Sequence, residues 1–256
     1  MSVLYDAPGQ QRWITVEETA RARYLLLDDC EEGAMDLSTE EPLFDYLWFH
    51  KCSGLGGRPV RKALVLGAGA FTLPKGLALD YPDAWIEAVD SEPDLERIGR
   101  QFFRLDHPEF ARIRFTGAPA EAFLGGPAGV YDFIFDDLFD DFQQVPEVSL
   151  GREYFQLLRQ VLAPGGTLVK NMIWDTHAKD TQSACRQARA ALEAVFPQHG
   201  LIALGGSNQG HNLLLIGWKA PAAFVWEEAR AHLAGKGVPE SVLRQTRQVE
   251  GGRGSE

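Results

Sequence analysis

The stretch Ala63–Asp90, ALVLGAGAFTLPKGLALDYPDAWIEAVD, decides the fold of this chain. Ala63–Leu66 is a short apolar run of the kind that a buried parallel strand requires. Gly67 and Gly69 permit a tight turn in which the backbone can approach a ligand closely. Asp90 follows Gly69 by 21 residues, about where a doubly wound sheet places an acid that binds ribose hydroxyls. The stretch therefore predicts a strand, a glycine turn, a helix and a second strand around a nucleoside pocket.

Strands and helices alternate in the sequence that follows. Apolar runs at Arg112–Thr116, Val130–Phe135 and Thr167–Met172 predict three further strands, and stripes at helical spacing separate them. Leu201–Leu204 and Asn212–Trp218 are joined by the polar GGSNQGH, which favours an antiparallel hairpin. The predicted fold class is α/β: a doubly wound, mostly parallel, Rossmann-like methyltransferase sheet with an antiparallel C-terminal hairpin.

A small β domain is predicted before this sheet. Arg12–Val16, Ala22–Leu27 and Ala34–Leu37 are short runs divided by polar or glycine-containing breaks, which indicates antiparallel strands. The glycine-rich SGLGGRP at Ser53–Pro59 predicts a hinge into the main domain. The predicted division is an N-terminal β-strand region and cleft-lining segment over residues 1–57, a Rossmann-like nucleoside-binding catalytic domain over 58–250, and a disordered tail over 251–256.

Composition narrows the class of ligand. The chain has 256 residues and a net charge of −11, with 36 acidic and 25 basic residues. The average electrostatic field of the protein therefore repels nucleic acid and anionic lipid and favours cations. A negatively charged surface also increases solubility, which is an alternative reason for this composition. No apolar run approaches the roughly 18 residues that cross a bilayer, and the polar start does not resemble a signal peptide. We expect a cytoplasmic protein with no nucleic-acid or membrane partner.

The metal-binding side chains form no recognisable pattern. Cys30, Cys52 and Cys185 are widely separated, and the six histidines form no pair at helical spacing. Neither a disulfide framework nor a metal site is predicted.

A dense group of carboxylates follows the predicted fourth strand, in the segment YDFIFDDLFDDF. Ligands bind at the carboxyl ends of strands in open α/β sheets. We therefore expect Asp137 and Asp140 to face a pocket beside the glycine turn, where they would hold a cationic amine and accept its proton. Asp136 and Asp141 are predicted to point to water or to cap the following turn. The alternative is that the whole segment is a solvated acidic loop.

Three segments together resemble a known family. LGAGAFTLPKGLALDYPDAWIEAVDSEP, YDFIFDDLFDDF and VPEVSLGREYFQLLRQVLAPGGTLVKN are similar to the spermidine synthase family of polyamine aminopropyltransferases, particularly its divergent bacterial branch. The match covers about Ala22–Trp174. It implies a homodimer with no permanently bound cofactor. It also implies decarboxylated S-adenosylmethionine as co-substrate and a small cationic acceptor, a diamine such as putrescine.

The resemblance also implies roles for individual residues. Gly67 and Gly69 would face the donor, and Asp90 would bind its ribose. Asp137 would be the catalytic aspartate and would also contact the donor. The two residues implied at the acceptor are Asp140, as the partner of the catalytic aspartate, and Asp45, which falls where the family has a glutamate.

Several positions depart from the family pattern and leave other functions open. The acid that reads the adenine amino group falls at Ala118, the glutamine of the N-terminal hairpin at Glu32, and a tyrosine near the acceptor at Leu43. One alternative is methyl transfer from intact S-adenosylmethionine to a small cationic substrate. Lys75 would then serve the donor carboxylate, unless it is a solvated helix lysine. Another is a non-catalytic module that binds a nucleoside or a polyamine.

Overall fold

The computed structural model describes residues 1–139, 144–174, 178–205, 211–220 and 225–249. An antiparallel four-stranded sheet forms first, in the order β1-β2-β3-β4. Asp28 and Asp29 make the turn between its last two strands with positive φ angles of 49° and 66°, a conformation that short acidic side chains tolerate. The strands are β1 (Ser2–Pro8), β2 (Trp13–Glu18), β3 (Ala22–Leu27) and β4 (Cys30–Asp36).

The second sheet has eight strands and confirms the predicted fold class. Its order is β12-β10-β11-β9-β8-β5-β6-β7. The five strands β9, β8, β5, β6 and β7 are parallel to one another. The pairs β9-β11, β11-β10 and β10-β12 are antiparallel. The antiparallel C-terminal hairpin is therefore present. The strands are β5 (Lys62–Leu66), β6 (Trp85–Asp90), β7 (Ile113–Gly117), β8 (Tyr131–Asp136), β9 (Leu162–Trp174), β10 (Gln198–Leu204), β11 (His211–Trp218) and β12 (Thr246–Gln248).

Helices cover both faces of this sheet. They are α1 (Thr72–Asp80), α2 (Leu95–Phe102), α3 (Ala120–Gly125), α4 (Arg152–Val161), α5 (Lys179–Val195), α6 (Trp226–Gly235) and α7 (Glu240–Leu243). Short 3-10 helices occupy Asp45–Cys52, Pro108–Phe110 and Glu147–Ser149. None of the described helices combines the length and apolar content required to cross a bilayer.

Two hydrophobic cores lie on opposite faces of the sheet, because successive strand residues point to opposite sides. Ala63 and Val65 of β5 pack into one core, and Leu64 and Leu66 into the other. The first core also includes Ile14 of the N-terminal sheet. The division of the chain at residue 57 stays a prediction, and the predicted tail lies outside the described residues.

Candidate active site

A cavity of about 400 Å³ opens at the carboxyl ends of the central parallel strands. Its described lining comes from the glycine turn after β5 and the ends of β6 and β8, together with the β3–β4 hairpin and the 3-10 helix Asp45–Cys52. This is the edge of the sheet at which open α/β folds bind ligands. Among its described lining residues are Arg12, Glu31, Glu32, Tyr46, Gly67, Gly69, Asp90, Glu121, Asp137, Asn171 and Asn212.

The glycine turn fits closely against other parts of the backbone. Gly67 and Gly69 both line the cavity and have φ angles of 87° and 46°, in the region that favours glycine. A Cβ at Gly67 would collide with the carbonyl oxygen of Asp137, and one at Gly69 would lie 2.7 Å from the carbonyl oxygen of Glu32. The two glycines therefore bring the acidic segment and the N-terminal hairpin against the turn, in addition to facing the cavity.

Asp90 ends β6 and supports the turn from beside it. Its Oδ2 accepts a hydrogen bond from the Ala68 N–H at 2.8 Å, and its Oδ1 accepts one from the Glu92 N–H at 3.1 Å. Burial raises the pKa of Asp90, and these backbone N–H groups oppose the rise. The side chain lines the cavity, so it is placed where a ribose could reach it. Its role in binding stays a prediction.

Asp137 follows β8 and lines the same cavity. Its Oδ1 accepts a hydrogen bond from Nδ2 of Asn171 at 2.8 Å, and its Oδ2 accepts one from the hydroxyl of Tyr46 at 3.0 Å. Burial raises the pKa of Asp137 to about 6, although both hydrogen bonds lower it. The negative charge of Asp136 makes a smaller contribution in the same direction as burial. A carboxylate in this state can accept a proton near neutral pH.

Asp136 does not point to water, contrary to the prediction. Its side chain is fully buried, and its Oδ2 lies 2.9 Å from Nζ of the equally buried Lys170. The cause is strand alternation: Asp136 is still part of β8 and pairs in register with Lys170 of β9. Asp140 and Asp141 lie outside the described residues, so the predicted acceptor role of Asp140 stays a prediction.

Asp45 occupies a different place from the one expected. Its side chain is exposed and does not line the cavity. Its Oδ2 accepts a hydrogen bond from Nε2 of Gln245 at 3.0 Å. The next residue along the chain, Tyr46, is the one that faces the cavity and contacts Asp137. Of the described residues around it, Phe44, Tyr46 and Leu47 line the cavity and Asp45 does not.

Glu32 adds a further carboxylate to the cavity. Its Oε1 lies 3.2 Å from Nη1 of Arg12, and Nε of Arg12 lies 3.0 Å from Oδ2 of Asp28. Burial raises the pKa of Glu32 to about 7; the Arg12 charge lowers it, while Asp90 and Asp137 raise it. The position that departs from the family glutamine is therefore a carboxylate paired with an arginine.

The described lining of the cavity is strongly acidic. It contains five carboxylates, Glu31, Glu32, Asp90, Glu121 and Asp137, and one cationic side chain, that of Arg12. Within the described part of the chain, no group of three or more histidines, cysteines or acids is arranged to hold a metal ion.

The three other positions weighed from the sequence lie outside the cavity. Lys75 is 1% exposed, and its Nζ lies 2.5 Å from Oε2 of Glu40. It is therefore neither a solvated lysine nor a contact for a donor in this cavity. Leu43 and Ala118 do not line the cavity either, and the Ala118 N–H donates to the carbonyl oxygen of Asp90 at 2.7 Å.

Sequence reasoning missed several polar residues of the site. Tyr46 is adjacent in sequence to Asp45, the residue predicted to bind the acceptor. Asn171 lies in the run Thr167–Met172, which predicts a strand and nothing more. A polar pair, Lys170 and Asn171, in an otherwise apolar strand was the available signal, because buried strands seldom hold polar side chains without a partner. Arg12 and Asn212 gave no comparable signal, since their positions depend on contacts made by distant strands.

Sequence comparison finds polyamine aminopropyltransferases. The chain is 28% identical to the polyamine aminopropyltransferase of Vibrio vulnificus over 124 residues, which are 48% of this chain and 41% of that protein. The match thus spans less than half the length of the curated relative. No family model matches the chain.

Comparison of folds gives a match over the whole chain. A probable spermidine synthase from Corynebacterium glutamicum superposes with a TM-score of 0.77 at 20% identity and covers 100% of both chains. The sequence matches are therefore to proteins named polyamine aminopropyltransferases, and the likeness to the probable spermidine synthase, at 20% identity, shows a shared fold. Human methyltransferase-like protein 13 in complex with SAH superposes with a TM-score of 0.57 at 21% identity, covering 80% of this chain and 91% of that one. The same fold therefore occurs in a probable spermidine synthase and in a methyltransferase-like protein, and the fold alone does not distinguish their activities.

Proposed function

We propose that this protein is an aminopropyltransferase that moves the aminopropyl group of decarboxylated S-adenosylmethionine to a diamine such as putrescine. One observation carries the proposal: Asp137 lies in an acidic cavity beside the glycine turn, with burial raising its pKa to about 6. The names of the similar proteins support the same reaction class.

The reaction requires few protein groups. The amine nitrogen attacks the methylene carbon beside the sulfonium, a C–N bond forms, and the C–S bond breaks. The bonding electrons go to sulfur, which leaves as a neutral thioether, methylthioadenosine. Before the attack, the ammonium of the acceptor passes one proton to the carboxylate of Asp137, which frees the nitrogen lone pair, and the positive charge of the sulfonium ends on the secondary ammonium of the product. The protein contributes alignment of the two reactants and general base catalysis, and the second contributes typically 10²- to 10⁴-fold.

The charge of the cavity favours the decarboxylated donor. An intact donor carries an α-carboxylate that needs a cationic or backbone N–H partner, whereas the decarboxylated donor presents an ammonium. Among the described lining residues the cationic side chain is Arg12, which is already paired with Asp28 and Glu32. Lys75 is buried against Glu40 away from the cavity. The described lining holds four further carboxylates besides the paired Glu32, and in their ionised form they attract an ammonium and repel a carboxylate.

The negative charge of the cavity also favours a diamine as the acceptor. A diamine is a dication at neutral pH, and one of its amines has to lose a proton before it can attack. The site offers carboxylates for the cationic end and Asp137 for the proton of the attacking end. The assembly as a homodimer stays a prediction from the resemblance.

A mass-spectrometric assay with two donors tests the reaction type. Purified protein is incubated with decarboxylated or intact S-adenosylmethionine and a series of diamines of different length. We expect an aminopropylated amine and methylthioadenosine from the decarboxylated donor alone. A methylated amine formed from the intact donor would contradict the proposal and support the methyltransferase alternative.

A calorimetric titration with methylthioadenosine accompanies the assay. Binding of this nucleoside together with product formation is the expected result. Binding without product from any diamine would contradict catalysis and support the alternative of a non-catalytic module.

A further inference from the structure

Two asparagines form a chain of hydrogen bonds that ends on Asp137. Nδ2 of Asn171 donates to Oδ1 of Asp137 at 2.8 Å, and Oδ1 of Asn171 accepts from Nδ2 of Asn212 at 3.0 Å. The Asn171 residue is 1% exposed. Each end of the Asn171 amide therefore has a defined contact.

The strands bring these side chains together across the sheet. In the antiparallel pair of β9 and β11, Asn171 lies opposite Leu214, and Asn212 lies opposite Ile173. Asn212 is thus two residues from the partner of Asn171 and on the same face of the sheet, where diagonal neighbours are within reach of one another. The contact depends on this register.

The orientation of the Asn171 amide determines whether its N–H donor or its carbonyl acceptor lies next to the Asp137 carboxylate. A primary amide has an N–H donor end and a carbonyl acceptor end of nearly equal size. With the donor end on Asp137, the ionised carboxylate is stabilised. With the amide reversed, the carbonyl oxygen would face Asp137, and only a protonated carboxyl could satisfy it. Because Asn212 donates to the carbonyl of Asn171, it favours the first direction.

We propose that Asn171 and Asn212 are positioning residues for Asp137: Asn212 fixes the amide of Asn171 in the direction that donates to Asp137 and keeps this carboxylate ready to accept a proton. The consequence for turnover rests on the proposed function. The effect on the ionisation of Asp137 does not, since it follows from the hydrogen bonds alone.

Other charged and titratable groups also surround Asp137. Tyr46 donates a hydrogen bond to it from the 3-10 helix Asp45–Cys52. The charges of Lys170 in β9, Asp136 in β8 and Glu32 in β4 interact with the charge of Asp137. A substitution at Asn212 removes none of these groups. The pair of asparagines can therefore be tested with the remaining charges in place.

The test follows the titration of the Asp137 carboxyl carbon by NMR in protein labelled at aspartate. The proteins are the native chain, Asn212→Leu, Asn171→Leu and the double variant. Removing the hydrogen bond from Asn171 should raise the titration midpoint of Asp137 by about one pH unit, and Asn212→Leu should raise it in the same direction by a smaller amount. In the Asn171→Leu background, Asn212→Leu should add nothing, because its effect passes through Asn171.

Two results would overturn the proposal. One is an unchanged midpoint in Asn212→Leu, and the other is an equal shift from Asn212→Leu with and without Asn171. If Asn171→Leu does not fold, Asn171→Ser takes its place in the same cycle. A protein that turns over no diamine still gives this titration, so a failure of the proposed function is distinguishable from a failure of the hydrogen-bond chain.

Discussion

Asp136 and Lys170, the neighbours in sequence of Asp137 and Asn171, form a fully buried ion pair with 2.9 Å between Oδ2 and Nζ. Nζ of Lys170 also lies 3.3 Å from the hydroxyl oxygen of Ser149. The pair fixes β8 to β9 at the point where Asp137 leaves the sheet on the other face. It also places a positive charge near Asp137, which opposes the effect of the adjacent Asp136 charge.

The substitution Lys170→Met should destabilise the protein strongly. It leaves the Asp136 carboxylate buried without its cation, and breaking a buried pair in this way costs about 3–5 kcal/mol of the free energy of unfolding. Urea unfolding measures the loss. The double variant Asp136→Leu/Lys170→Met should recover most of it, because no unpaired charge remains. A single variant as stable as the native chain would contradict the burial of this pair.

The substitution Glu92→Gln should release the turn between β1 and β2. Glu92 is 0% exposed, and its carboxylate accepts hydrogen bonds from the backbone N–H groups of Gln10, Gln11 and Arg12 at 2.7–3.1 Å and of Asp94 at 3.0 Å. An amide nitrogen cannot accept these bonds. A donor left without a partner costs about 1–3 kcal/mol where it is buried, and less at Gln10 and Gln11, which are exposed residues. We therefore expect a clear fall in the free energy of unfolding.

The matched control for this prediction is Glu96→Gln, four residues further along the chain. The Glu96 side chain is 43% exposed and pairs with Arg100 at the surface, and such pairs contribute at most about 1 kcal/mol. Urea unfolding should separate the two variants, and amide hydrogen exchange should show faster exchange of Gln10, Gln11 and Arg12 in Glu92→Gln alone. Equal stability of the two variants would contradict the anchoring role of Glu92.

The stability of the protein should depend on the ionisation of Asp137. Its pKa is about 6 in the folded protein against an ordinary 3.8, so the folded state binds its proton more tightly than the unfolded state does. The resulting stabilisation is complete below pH 4 and is lost as the pH rises through 6. At about 1.4 kcal/mol per pKa unit, the loss reaches roughly 3 kcal/mol.

Comparison of the native chain with Asp137→Asn isolates this effect. The difference in free energy of unfolding between the two should move in favour of the variant as the pH is raised from 4 to 8, whatever its value at pH 4. Guanidinium unfolding at several pH values measures the trend. A difference that is constant with pH would mean that the pKa of Asp137 is not raised.

The pH dependence of turnover should identify which carboxylate acts as the base. If Asp137 accepts the proton, kcat/KM falls as the pH drops through about 6, because protonation of Asp137 removes the acceptor. Glu32 has a pKa of about 7 in the same cavity, so the variant Glu32→Gln serves as the control. This variant should keep the acidic limb in place; disappearance of the limb in Glu32→Gln would assign it to Glu32.

The sequence predicted the sheet well because periodicity and turn residues are local signals. The run Ala63–Leu66 forms β5, the middle strand of the five parallel ones, and the antiparallel hairpin follows from the two runs around GGSNQGH. Gly67, Gly69 and Asp90 also lie together at the cavity, since their spacing is set by one strand, one turn and one helix. Such features need no knowledge of distant contacts.

The direction of individual side chains was harder to predict. Asp136 and Asp137 are adjacent, but one is the last residue of β8 and faces inward, while the next faces the cavity. On the 3-10 helix, Tyr46 lines the cavity, whereas the adjacent Asp45, which was expected there, is exposed. A shift of one residue reverses the side in a strand and turns the side chain by about 120° in a 3-10 helix, and composition does not fix that phase.

The contacts made by Asn171 and Asn212 could not be predicted at all from local patterns. They depend on the register of β9 with β11, which is set by the packing of the whole C-terminal hairpin. The pairing of Arg12 with Glu32 likewise depends on the turn that Glu92 anchors from the other sheet. Long-range register is therefore the main information that only the structure supplies.

The most direct test of the central claim compares Asp137→Asn with Asp45→Asn in turnover of decarboxylated S-adenosylmethionine and putrescine. Both substitutions remove one carboxylate, but only Asp137 lines the cavity. We predict that kcat falls by about 10²- to 10⁴-fold in Asp137→Asn and stays near the native value in Asp45→Asn, with both variants folded. Full turnover by Asp137→Asn would contradict the claim that this carboxylate accepts the proton of the attacking amine.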